Sequence, residues 1–248
     1  MSDRKNSLRV LLLGVLFGFA ITACGGEDDI FTPDGAPDIT AAALFEEANN
    51  AMRKEDYVTS VKLFTRLKED YPFSSYIIEA ELSLADSYYR DGEWLSAVEA
   101  YKEFESMHPR HEAMPYVLYQ IGMGNLQTYT SVDHPPTLVL EAQSYFTRLR
   151  DSFPGHEYAL RAVLQIKTCR QILAEYEVYT GDFYFRTGNY YAAWLRYVKV
   201  VGEYPEIRNL WSYADNRRHL AYFLHMKDST EARRRLREDT WHNWFDWL

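Results

Sequence analysis

Small side chains, aromatic rings and closing prolines recur along this chain in one fixed order, and that repetition constrains the fold more than any composition could. In one stretch Leu84 and Ala85 are followed by Tyr88, Ala97, Tyr101, Phe104 and Pro109. The order appears earlier as Ala48, Phe64, Leu67 and Pro72, with Ser60 standing where an alanine is usual, and later as Gly181, Tyr184, Ala193, Tyr197, Val200 and Pro205. A stretched copy lies between them, with Gly122 and then Ala142, Phe146, Leu149 and Pro154, and its extra length falls in Thr128 to Pro136. The closing prolines are spaced by 37, 45 and 51 residues. A unit of this length cannot bury both of its faces alone, so neighbouring units must stack.

These offsets are those of the tetratricopeptide repeat (TPR), in which two antiparallel helices pack through small and aromatic residues. Strand signals are almost absent, and the breaking segments Asp91-Gly92, Thr187-Gly188-Asn189 and Pro135-Pro136 sit where helical hairpins turn. The expected fold is all-α: a right-handed superhelical solenoid of about five TPR-like hairpins, at about 39–73, 75–110, 112–155, 156–206 and 208–248, the last degenerate. Pro136 suits the first turn of the helix that follows. Residues 159, 160, 163, 166, 169 and 173 are apolar or small at helical spacing, compatible with one long helix or two stacked ones. Tyr88, Tyr101, Tyr184 and Tyr197 hold packing offsets. Tyr71, Phe73 and Tyr76, at the turn between the first two repeats, are candidates for partner contact.

The N-terminus carries an address. Arg4, Lys5 and Arg9 precede an apolar run of twelve from Val10 to Ile21, too short for a permanent span, and Ile21-Thr22-Ala23-Cys24 resembles the lipobox of lipoprotein precursors. That resemblance implies a signal peptide over 1–23 and a mature chain starting at a lipidated Cys24, anchored by two or three acyl chains. Gly25, where an Asp would favour the inner membrane, points to the outer one. Residues 24–38, rich in Gly, Pro and acid, read as a flexible tether. Cleavage would move the formal charge from −9 to about −11, which argues against nucleic-acid or anionic-lipid binding as a main role. Only Cys169 would remain unmodified, with no partner for an intramolecular disulfide, and it reads as a small buried apolar side chain.

Nothing in the chain points to catalysis. No G-x-S-x-G, H-E-x-x-H, P-loop or C-x-x-C pattern occurs. His108 and His111 flank a proline and suit a helix end rather than a metal, and His219 and His225 fall on roughly opposite helix faces. Glu175 and Glu177, two apart, diverge in the same way. No catalytic residue, metal site or cofactor is expected beyond the covalent lipid on Cys24.

The order of segments Tyr71-Pro72-Phe73, Leu84-Ala-Asp-Ser-Tyr-Tyr-Arg90, Ala97-Val-Glu-Ala-Tyr-Lys-Glu-Phe104, His108-Pro-Arg-His111, Pro115-Tyr-Val-Leu-Tyr-Gln-Ile-Gly122 and Phe183-Tyr-Phe-Arg-Thr-Gly188 resembles the BamD family, also called ComL or YfiO. These are TPR lipoproteins of the bacterial β-barrel assembly machinery. The resemblance runs over about residues 40–207. It implies a periplasmic scaffold, lipid-anchored to the outer membrane, that binds a BamA-like barrel subunit through its periplasmic domains. Accessory lipoproteins and unfolded outer membrane proteins would be further partners. Arg196 matches a family arginine implicated in contact with the barrel subunit; an intramolecular ion pair is the alternative. The family loop of Asp-Arg-Asp-Pro type is replaced here by Ser131-Val-Asp-His-Pro-Pro136. Trp241, Trp244 and Trp247 recur every three residues, and either seal the open end of the solenoid or dock a partner or membrane. The competing functional reading is a pilotin that carries a secretin or pilus component to the outer membrane.

Overall fold

The computed structural model describes residues 40–245, with side chains to residue 237. The expected signal peptide, Cys24, the expected tether and Trp247 lie outside the described residues, as do the side chains of Trp241 and Trp244. The described residues form helices without strands: α1 (Ala41–Arg53), α2 (Tyr57–Asp70), α3 (Ile77–Asp91), α4 (Trp94–Met107), α5 (Met114–Thr128), α6 (Thr137–Ser152), α7 (Glu157–Arg186), α8 (Tyr190–Glu203) and α9 (Arg208–Phe245).

The small-plus-aromatic pattern is the packing rule between the two helices of each hairpin. Ala48 and Phe64, Ala85 and Tyr101, Gly122 and Phe146, and Gly181 and Tyr197 are all buried. A methyl group added at Gly122 would sit 2.5 Å from the Phe146 ring, and one at Gly181 would sit 2.8 Å from the Tyr197 ring. Glycine, a poor helix former, is therefore required there by close approach rather than by backbone freedom. Ser60, the exception to the alanine pattern, is completely buried and shares a 2.8 Å hydrogen bond with Ser87 of the next hairpin. Ser87 in turn donates to the Ser83 carbonyl at 2.7 Å, so the polar pair is satisfied inside the core.

Turn chemistry repeats as well. Gly92 (φ +84°) and Gly188 (φ +80°) hold the left-handed position two residues before the second helix of their hairpins. In the first hairpin Glu55 (φ +61°) takes that position, at a cost of about 1 kcal/mol for a residue with a Cβ. Asp56 and Asn189 then cap α2 and α8, accepting from the Thr59 and Ala192 amides at 3.1 and 3.3 Å. Pro136 lies one place before the first helical residue, at the N-cap of α6.

Each helix packs on the next in sequence, and the first helix α7 also touches the first helices α5 and α9 directly across repeat boundaries. That puts first helices on the inner, concave side. The second helices splay on the outer side, leaving a groove of about 880 Å³ between α2 and α4, floored by Leu84 and Tyr88. The two possibilities left open for residues 156–186 resolve to one 30-residue helix, α7. Its buried residues Ala159, Ala162, Ile166, Cys169, Leu173, Glu177 and Gly181 continue at three- or four-residue steps, with Ala174 beside Leu173 and no proline to break them. The fifth unit contributes the single 38-residue helix α9, because no turn signal interrupts it.

Candidate partner-binding faces

On the concave side, α3 carries Asp86 at the meeting point of two hairpins. Asp86 Oδ1 accepts from the Tyr101 hydroxyl of α4 and, at 2.6 Å, from the Tyr116 hydroxyl of α5. Gln120, one turn on from Tyr116, donates its amide to the Tyr116 hydroxyl oxygen at 3.0 Å. Burial pushes the Asp86 carboxyl above its usual range, against the lowering effect of the two phenols. Burial, and then the Asp86 charge, push both phenols far upward, so they keep their protons and act as donors.

From this clamp a row of half-buried rings leads to α7. Tyr116 lies 5.5 Å from Tyr158, which lies 5.4 Å from Tyr119 and 5.7 Å from the stacked ring of His156. The Arg161 guanidinium sits 5.5 Å over Tyr158. Half-exposed tyrosines beside a cation give a surface that stacks apolar or aromatic side chains while offering hydroxyls to a backbone.

The same clamp recurs at the C-terminal hairpin. Asp182 Oδ1 accepts from Tyr197 at 2.6 Å and from Tyr213 at 2.8 Å, and Arg217, one turn beyond Tyr213, donates to its hydroxyl at 3.0 Å. Arg217 also covers the Phe185 ring at 4.7 Å. Next to it, the buried Glu177 carboxylate is held by Arg196 at 2.9 Å and by Lys199 at 2.7 Å. Of the two readings of Arg196, the intramolecular ion pair is therefore present. It uses one guanidinium nitrogen, and the side chain stays 37% exposed. Glu175 accepts from Gln171 instead, so the two glutamates do diverge.

The three aromatics of the first inter-repeat turn have different surroundings. Tyr76 stacks on Phe45 of α1 at 5.0 Å and Tyr71 is half-buried at the end of α2, whereas Phe73 is 99% exposed. His108 ends α4 and bonds Glu81 at 2.7 Å; His111 accepts from the Ala113 amide at 3.1 Å. Cys169 is buried, which pushes its thiol up to about 12. Among the described residues no group of three His, Cys, Asp or Glu could hold a metal ion. Sequence reasoning did not single out Asp86, Tyr116, Asp182, Tyr213 or Arg217 as a site. Their signal was present: Asp86 to Tyr101 and Asp182 to Tyr197 are both 15 residues.

Comparison with known proteins gives these faces a context. Proteins named outer membrane protein assembly factor BamD are similar to this chain. That of Neisseria gonorrhoeae is 29% identical over 215 residues, covering 81% of this chain and 79% of its own. That of Vibrio cholerae is 28% identical, covering 79% and 82%. That of Rickettsia prowazekii is 24% identical, covering 77% and 74%. Among solved structures, the TPR2AB-domain:pHSP90 complex of yeast Sti1 has a TM-score of 0.45 at 14% identity, covering 75% of this chain and 71% of that one. A family model described as outer membrane lipoprotein, YfiO, matches residues 37–231, which takes in nearly all of the helical body. The chain belongs to the YfiO family of outer membrane lipoproteins.

Proposed function

We propose that this protein is an outer-membrane-anchored, periplasm-facing TPR scaffold of the β-barrel assembly machinery, without catalytic activity of its own. The observation that carries this reading is the family match over residues 37–231, joined by relatives named as assembly factors that cover about four fifths of the chain. In this reading the lipid on Cys24 holds the solenoid at the membrane. The concave rings around Tyr116 and Tyr158 receive extended segments of unfolded outer membrane proteins. Phe73 and the C-terminal faces meet protein partners, among them a BamA-like barrel subunit through its periplasmic domains, and accessory lipoproteins. Arg196 serves the barrel subunit with the donors that Glu177 leaves unused, a two-pronged grip that lysine cannot copy.

Affinity capture of the tagged, lipidated protein from mildly solubilised outer membranes tests this. Stoichiometric recovery of a barrel protein with tandem periplasmic domains is expected. Recovery of a secretin or pilus component without it would overturn the reading in favour of a pilotin. Arg196→Ala should weaken capture several-fold while the melting temperature moves by only a few degrees, since Lys199 still pairs Glu177. Undiminished capture by the folded variant would remove Arg196 from the interface.

A further inference from the structure

The chain as a whole is acidic, but its charge is unevenly spread. Residues 40–112 hold fifteen Asp and Glu against eight Lys and Arg, whereas residues 207–237 hold eight Lys and Arg against three Asp and Glu. The basic region is α9. Beyond Ala221 no described residue of α9 is buried, although the helix continues to Phe245. At 1.5 Å per residue, about 36 Å of helix extends past its last buried residue. Most helical stability in a protein comes from tertiary packing of one face, and this extension buries no described residue, so a second surface would complete it.

One face of this extension is continuous. Phe223 (64% exposed), Met226 (41%), Lys227, Arg233 and Arg237 follow one another at helical steps, and the same register reaches Trp241 and Trp244 further along the helix. Asp228 falls on the opposite face and Glu231 on the flank, one turn on from Lys227. Among the described residues no carboxylate pairs with Lys227 or Arg237, and Arg233 is steadied along the helix by a 3.1 Å bond to the Ser229 carbonyl. No described helix is long and apolar enough to cross a membrane. Five Lys and Arg between residues 227 and 237, beside the exposed Phe223 and Met226, form the kind of basic helical cluster that an anionic lipid surface attracts. The acidic first hairpins would be repelled by the same anionic surface and α9 attracted to it, which reverses the expectation from net charge for this one element.

We propose that the outer half of α9 is an interfacial helix that lies on an anionic phospholipid surface. The test uses the full chain, purified from membranes and reconstituted in vesicles. An environment-sensitive fluorophore is placed at Thr230→Cys; buried Cys169, its thiol raised to about 12, does not compete for the label. In vesicles of phosphatidylethanolamine with about one third phosphatidylglycerol, the label should shift to the blue and be quenched by headgroup nitroxides. In phosphatidylcholine vesicles it should do neither. Arg233→Gln with Arg237→Gln should lower the inserted-to-free ratio about thirtyfold, as the loss of two surface bases predicts, with helicity unchanged. A label equally exposed in both vesicle types, or protected only when another membrane protein is added, would overturn the proposal. Flotation with neutral vesicles reports the Cys24 anchor separately, so failure of the anchor and failure of α9 give different results.

Discussion

The Asp86 and Asp182 clamps are built from the same parts on the same spacing, yet they face different situations. Each aspartate takes one hydroxyl from its own hairpin and one from the first helix of the next. In the middle of the solenoid the second phenol, Tyr116, is roofed by Tyr158 of a further hairpin, and a neutral Gln120 supports it. At the end, Tyr213 is 37% exposed, and an arginine replaces the glutamine. A repeat interface that will be covered can rely on neutral hydrogen bonds in a low dielectric, whereas one that ends the stack is completed by a charge that tolerates water.

The comparison breaks first if both aspartates are equally costly to remove. Asp86→Ala should destabilise by about 3 kcal/mol, because two largely buried hydroxyls lose their acceptor, while Asp182→Ala should cost only about 1 kcal/mol because Tyr213 can turn to water. Denaturant titration of the two variants distinguishes them, and equal losses would show that burial does not separate the clamps. A smaller version of the contrast comes from Tyr101→Phe, expected at about 2 kcal/mol, against Tyr197→Phe at about 1 kcal/mol, since Tyr213 bonds both oxygens of Asp182.

Acid should sharpen the difference further. Burial raises the folded-state pKa of Asp86 above its ordinary 3.8, so the folded protein holds that proton more tightly than the unfolded chain. The contribution of this group to stability is therefore complete below the ordinary carboxylate pKa and is lost as pH rises through the raised one. Asp86→Asn should flatten that slope in stability measured from the acid end towards neutrality, and an unchanged slope would assign it to other groups. The smallest effect is expected from Arg217→Gln, which makes the terminal clamp resemble the internal one. A loss of about 0.5 to 1 kcal/mol, seen as a melting shift of a few degrees, is expected from the exposed cation–π and hydrogen-bond contacts.

How far these features could be read in advance follows from their range along the chain. The small-plus-aromatic pairs, the turns at Gly92 and Gly188 and the all-helical class were legible, because each depends on residues within one hairpin. The continuity of α7 was half legible: the apolar steps were visible, but the eye expects a turn at each repeat, and only the absence of Gly and Pro from 156 to 180 argued otherwise. The pairing of Arg196 with Glu177 was not legible, because the partner lies 19 residues upstream among several acids and only the facing of α7 and α8 selects it. The clamps were missed for a related reason. Their second phenols belong to the next repeat, at offsets of 30 and 31 residues, where no motif written within one unit would look.

The unbroken course of α7 also has a mechanical meaning. Its N-terminal part carries Tyr158 against α5, and its C-terminal part carries Glu177 and Asp182 against α8 and α9. Thirty residues make a stiff rod about 45 Å long, so a tilt of about 10° at one end displaces the other by about 8 Å. Two ordinary repeats would have absorbed such a tilt at the loop between them. Here there is no joint, so a load applied to Tyr158 at one end of the rod would be carried to the terminal clamp at the other.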